Sequence, residues 1–212
     1  MGTYNKGILG KFNGQVGTVI GGTWKGIDYM RSLPSLKRSS GKSSLAQEMQ
    51  KLKFGLAIKF INSMRPLLMQ TFNQSGEMTG SNSALSYTLK NAVTGVFPDL
   101  VIDYKVALVS RGMLPKAAGP KVTVNGSAIQ FSWTPNSQWG YAKDTDKVIL
   151  VAYHPAGNYT YYTIGAATRI DGSAVLDLPG MPGESFETWI AFRSDERKEV
   201  SDSIYTGTVT LP

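Results

Sequence analysis

A chain with one histidine and no cysteine has few groups from which to build a reactive centre. His154 precedes Pro155 at the end of an apolar strand pattern, and no Asp or Glu stands at helical metal-ligand spacing to it, so zinc chemistry is not expected there. A Ser–His–Asp assembly needs an exposed nucleophile, and the sequence contains no Gly-x-Ser-x-Gly turn to present one. Carboxylates cluster at Asp144/Asp146 and at Asp195/Glu196/Glu199, between predicted strands and beside Lys143, Lys147, Arg197 and Lys198. That mixture reads as solvated loops of mixed charge, without the fixed glycine and dense oxygen ligands of a calcium loop. The run from Gly17 to Thr23 lacks the spacing of a dinucleotide loop. Gly41-Lys42-Ser43 ends like a phosphate loop, but Leu36 stands where that loop needs a glycine. No catalytic residue, cofactor or metal is therefore expected.

What remains is chemistry of contact. In Trp24-Lys25-Gly26-Ile27-Asp28-Tyr29-Met30-Arg31, aromatic and basic residues interleave. Trp, Tyr and Arg are favoured anchors of protein interfaces, which makes Val16, Val19, Ile20, Trp24, Ile27, Tyr29 and Arg31 the candidate contact residues. The same composition suits stacking on bases while cations hold phosphates, with Lys6, Lys11, Lys25, Arg31, Lys37, Arg38 and Lys42 as candidates for nucleic acid. A third group, Trp139, Tyr141, Tyr159, Tyr161 and Tyr162, lies near predicted loops and strands and could serve a carbohydrate or surface-binding module, although sandwich cores use such aromatics routinely.

Charge divides along the chain. Residues 1–65 carry 11 Lys and Arg against Asp28 and Glu48, a balance of +9, whereas residues 66–212 carry 11 against 13 acids, a balance of −2. A basic arm on a near-neutral body can meet phosphate, an anionic surface or an acidic patch on a further subunit of its own kind. The opening residues lack the unbroken apolar core of a signal peptide, and no later stretch approaches a membrane span, so cytoplasmic synthesis without membrane insertion is expected.

These residues need elements to hold them. Residues 1–26 contain eight glycines interrupted by strand formers, which predicts extended pieces near 15–24 and 27–33 turning at Lys25-Gly26. So little side-chain volume makes a poor independent core, and such an arm is suited to adding a strand to a neighbouring sheet. After a polar, basic connector, Ser44 and Gln47 form a candidate capping box, and Leu45, Met49, Leu52, Leu56, Phe60 and Met64 recur at helical spacing as a core-facing stripe. Pro66 ends this helix or begins a new turn. A second helix is predicted over 82–93, capped by Ser83 and stopped by Gly95, to make a helical hairpin.

From residue 99 the pattern changes to strands: 101–109, 121–124, 129–133, 147–153, 159–164, 173–178, 186–193 and 202–211, with turn residues between them. The fold class is thus α+β or mainly β. A glycine-rich β arm and connector (1–42) and a helical segment (43–98) lead to a β-sandwich domain (99–212) whose core, about 118–212, is immunoglobulin-like or fibronectin type III-like. Trp133 and Trp189 are both expected in the core between its sheets.

The segment from Gly14 to Pro34, with Trp24-Lys25-Gly26-Ile27 as its most specific part, resembles the N-terminal signature of a domain-of-unknown-function family found widely in Bacteroidota, and the likeness runs the length of the chain. The resemblance implies a bacterial or bacteriophage origin and supplies no catalytic residues. The expectation is a structural protein that self-associates through its arm, as a virion-like component or part of another bacterial assembly.

Overall fold

A computed structural model describes residues 2–4, 10–34, 43–72, 78–178, 182–196 and 199–212. Lys6, Lys37, Arg38 and Lys42, all candidates for nucleic acid, lie outside them. The chain divides into two compact units, Met1–Ser43 and Ser44–Pro212. The described structure is mainly β, with three helices and antiparallel sheets.

The first unit is a four-stranded antiparallel meander: β1 (Thr3–Tyr4), β2 (Phe12–Val16), β3 (Val19–Trp24) and β4 (Ile27–Ser32), paired in chain order. The expected strand over 15–24 is broken into two, because Gly17-Thr18 makes a two-residue turn that brings Val16 opposite Val19. The turn at Lys25-Gly26 falls where it was expected. Both residues have positive φ, 49° and 82°, which matches the twist of a two-residue hairpin.

The second unit begins with α1 (Leu45–Ser63), whose N-terminus carries the expected capping box between Ser44 and Gln47. Pro66 begins a new helix, α2 (Arg65–Thr71), where its missing N–H costs nothing. The third helix, α3 (Gly80–Asn91), starts earlier than expected because the Thr79 hydroxyl, not that of Ser83, caps it by accepting from the Asn82 N–H. It also ends earlier: Gly95 lies in a hairpin formed by β5 (Val93–Val96) and β6 (Asp99–Ile102).

The strand expected over 101–109 stops at Ile102, and the chain then runs irregularly to residue 117. Its backbone finds partners other than a sheet edge. Val109 C=O accepts from the Thr71 hydroxyl, Val109 N–H donates to Ser203 Oγ, Gly112 N–H donates to Asp202, and Ala107 C=O accepts from the Trp189 indole. Side chains of α2, of β12 and of the segment just before β13 thereby satisfy groups that would otherwise form a ladder.

Seven strands follow: β7 (Ala118–Asn125), β8 (Ala128–Thr134), β9 (Lys147–His154), β10 (Tyr159–Thr168), β11 (Ser173–Asp177), β12 (Ser185–Arg193) and β13 (Ile204–Thr210). They form a three-stranded sheet, β11-β8-β7, and a four-stranded sheet, β10-β9-β12-β13. Side chains of both sheets meet in one core: Ile129, Phe131 and Trp133 from β8 with Val148, Leu150, Phe186, Ile190 and Phe192 from β9 and β12.

The four-stranded sheet buries its other face as well. Ile149, Val151, Tyr153, Trp189 and Ala191 alternate with the residues just named and pack on Phe60 and Ile61 of α1, Leu67 and Leu68 of α2, and Met64 between the two helices. This double burial explains the unbroken apolar run Val148-Ile149-Leu150-Val151. It also corrects the expectation for Trp189, which lies in the helix–sheet core rather than between the sheets.

Phe60 is the hub of that core, with the rings of Tyr153, Tyr104 and Trp189 at 5.1, 6.1 and 6.2 Å from its own. Burial, with the neighbouring Tyr104 adding to it, pushes the Tyr153 phenol up to about 12. Tyr104 is also raised, by burial and then by Glu187, and so is Tyr205, by burial and then by its hydrogen bond to Glu187. Because the folded state resists ionisation, stability should hold below pH 10 and fall as pH rises from about 10 towards 12. Urea midpoints across that range will show the decline. Tyr153→Phe, which removes one of the three groups, should make it shallower, and an unchanged slope would exclude Tyr153 as a contributor.

Candidate protein-interaction surface

The meander of the first unit is a single layer of strands, and its register sorts the expected contact residues by face. Opposed pairs Ile20–Arg31, Gly22–Tyr29 and Trp24–Ile27 share one face with Gln15. Val16 and Val19 lie on the opposite face with Phe12, Thr23, Asp28 and Met30. Five of the seven candidates, Ile20, Trp24, Ile27, Tyr29 and Arg31, therefore come together, while Val16 and Val19 do not join them.

Two glycines shape the two faces. A Cβ on Gly22 would stand 3.0 Å from the Tyr29 hydroxyl, so the phenol ring lies across the glycine. A Cβ on Gly21 would stand 2.3 Å from the Phe12 carbonyl oxygen and 2.8 Å from its ring, so on the other face Phe12 covers Gly21. Removing side chains from the middle of β3 lets rings from β2 and β4 settle on its backbone.

Large apolar side chains remain open to solvent on both faces. Trp24 is 59% exposed, Ile27 71% and Met30 72%, and all six residues of β4 are exposed. The outer edge of β4 pairs with no strand among the described residues. A six-residue edge with so much apolar surface is a template for a further strand.

Electrostatics separates the basic candidates. Asp28 accepts from the Thr23 hydroxyl at 2.6 Å and pairs with Lys11 at 3.6 Å, so part of Lys11's charge is met within the arm. Lys25, in the tight turn, and Arg31, on the Trp24 face, are exposed.

Comparison with protein families matches residues 11–207 to one described as a family of unknown function, DUF6266. The chain belongs to the DUF6266 family. No curated protein matches it.

Elsewhere in this DUF6266 member, His154 is held by hydrogen bonds and ring contacts within the fold. His154 is buried; its Nδ1 accepts from the Gly157 N–H at 2.8 Å, which leaves the proton on Nε2 to reach Glu184 at 2.6 Å. Tyr159 stacks on the imidazole with centroids 4.6 Å apart, and Tyr161 meets Tyr159 edge-on. Trp139 and Tyr141 are exposed and lie in the loop between β8 and β9. Among the described residues, no group of three or more His, Asp or Glu is placed to hold a metal, and no helix is long and apolar enough to cross a membrane.

Asp195 and Glu196 are exposed and pair with Lys147 and Lys143, as expected of a solvated loop. Asp146 is different. It is fully buried, pairing at 3.0 Å with the equally buried Arg169, whose guanidinium also donates to Asn136 Oδ1 and Pro115 C=O and lies 3.9 Å from the centre of the Phe192 ring. Burial lowers the pKa of Arg169, against the opposing pull of Asp146. Sequence reasoning missed this network, because its members come from four separate segments and Asp146 stands among charged neighbours that are exposed.

Proposed function

We propose that this protein is a non-catalytic structural subunit that associates with further copies of itself through its N-terminal meander, as part of a phage-like particle or other bacterial assembly. The observation that carries the reading is the β4 edge with its exposed Ile27 and Met30, beside the exposed Trp24 of β3. A single layer of strands has no second layer to bury its apolar side chains, and an apolar sheet face is stabilised by packing against another element. A neighbouring copy can supply it by pairing at the edge and covering a face.

The seven strands from β7 to β13 are read as a fibronectin type III-like sandwich. What supports this is their partition: the first, second and fifth lie in one sheet and the fourth, third, sixth and seventh in the other, around a shared core. In a constant-type immunoglobulin domain the fourth strand would join the first sheet instead. Such a sandwich would present an outer surface while the arm clasps its neighbour.

Light scattering at two concentrations tests the reading. The full chain should show a mass above 23.0 kDa that rises with concentration, and Ile27→Asp combined with Met30→Asp, or removal of residues 1–40, should lower it at both. A full chain that stays monomeric at both concentrations would sink the proposal.

A further inference from the structure

The first half of α1 carries an apolar stripe that the helix–sheet core does not use. Leu45, Met49 and Leu52 are 69%, 42% and 40% exposed, whereas burial on α1 begins at Ala57 and continues through Phe60 and Ile61. The two sets differ in azimuth. At 3.6 residues per turn, Leu45, Met49, Leu52 and Leu56 share one line, and the set of Ala57, Phe60 and Ile61 is centred roughly a quarter turn or more away. The exposed stripe of Leu45, Met49 and Leu52 is thus a second face, which meets the buried one at Leu56, itself half-buried against the helix–sheet core.

Its spacing is that of a coiled-coil seam. Steps of four, three and four place Leu45 and Leu52 at d and Met49 and Leu56 at a, and Lys59 at the next d ends the pattern. The flanking charges fit the same register. Glu48 falls at g and Lys53 at the following e, the two positions that face each other across a parallel pair of helices, and they carry opposite signs. A second copy brings the same two residues in reverse, so both flanks are matched at once. We propose that α1 forms a short parallel coiled coil with α1 of a second copy of this chain over residues 45–56.

This seam is independent of the meander edge, and three turns of contact make it weak alone. The absence of cysteine allows a clean test, since one introduced thiol reports on one position. In the full chain, Leu52→Cys should oxidise to a disulfide-linked dimer severalfold faster than Phe54→Cys, which lies on the far side of the helix. In the Leu52→Cys background, Glu48→Lys or Lys53→Glu alone should slow cross-linking by roughly threefold to tenfold by setting like charges face to face. Mixing the two charge variants should restore it as a heterodimer. Equal rates at positions 52 and 54, or no restoration on mixing, would overturn the seam. Repeating the reaction with Ile27→Asp and Met30→Asp present separates the two surfaces, because cross-linking should persist even if the meander takes no part in assembly.

Discussion

Arg169→Met should lower stability by about 3–5 kcal/mol, the cost of leaving a buried charge without its partner. Asp146 would retain a hydrogen bond from the Lys143 N–H but lose the guanidinium at 3.0 Å. Asn136 Oδ1 and Pro115 C=O would each lose a donor, and the Phe192 ring its cation. The backbone bonds of the same residue survive the change: Arg169 C=O accepts from the Trp133 indole and Arg169 N–H donates to Asp146 C=O, tying the turn after β10 to the loop before β9. Urea denaturation gives the size of the effect. A double variant, Asp146→Leu with Arg169→Met, separates charge from packing: removing both charges should cost less than the sum of the single changes. A loss below about 1 kcal/mol for Arg169→Met would mean that water enters the site and the network is not closed.

Phe60→Ala should cost about 3–5 kcal/mol for a different reason, the cavity left among rings that cannot close over it. Phe60 touches Tyr104, Tyr153 and Trp189, which come from three separate segments, and its helix supplies one wall of the core. The strands on the far side of the four-stranded sheet keep their own cluster around Phe131, Phe186 and Phe192. Near-ultraviolet circular dichroism distinguishes two outcomes. If the helices and strands of residues 44–212 unfold together, the aromatic signal and the backbone signal should be lost in one transition, at a lower urea concentration than in the parent chain. Two separated transitions would show that the helical layer opens first. In that case the helix–sheet core contributes less to global stability than its burial suggests.

Much of the local structure could be read directly from neighbouring residues. The Ser44–Gln47 capping box, the Lys25-Gly26 turn, the helix start at Pro66 and most of the strands after residue 118 follow from preferences that act within a few positions. The alternating patterns likewise reveal a half-buried face in β7 and a buried face in β8. Interactions between distant segments were not legible. Residues 103–109 have strand propensity, yet Thr71, Trp189 and Ser203, up to 94 residues away in sequence, take up their backbone groups. Trp189 alternates as a strand residue should, but which of two cores receives it depends on helices covering the second face of its sheet.

The sequence alone determined the turns, the caps, the periodicity of each element, the absence of thiol chemistry and the concentration of positive charge in the first third. Only the tertiary structure decided which apolar stripes are covered. Leu45, Met49 and Leu52 have the same periodicity as Phe60 and Met64, but the first three stay exposed and the last two are buried. It also decided that Asp146, among charged neighbours that remain in water, is buried against Arg169. Periodicity specifies a face, whereas burial depends on what the rest of the chain brings to that face.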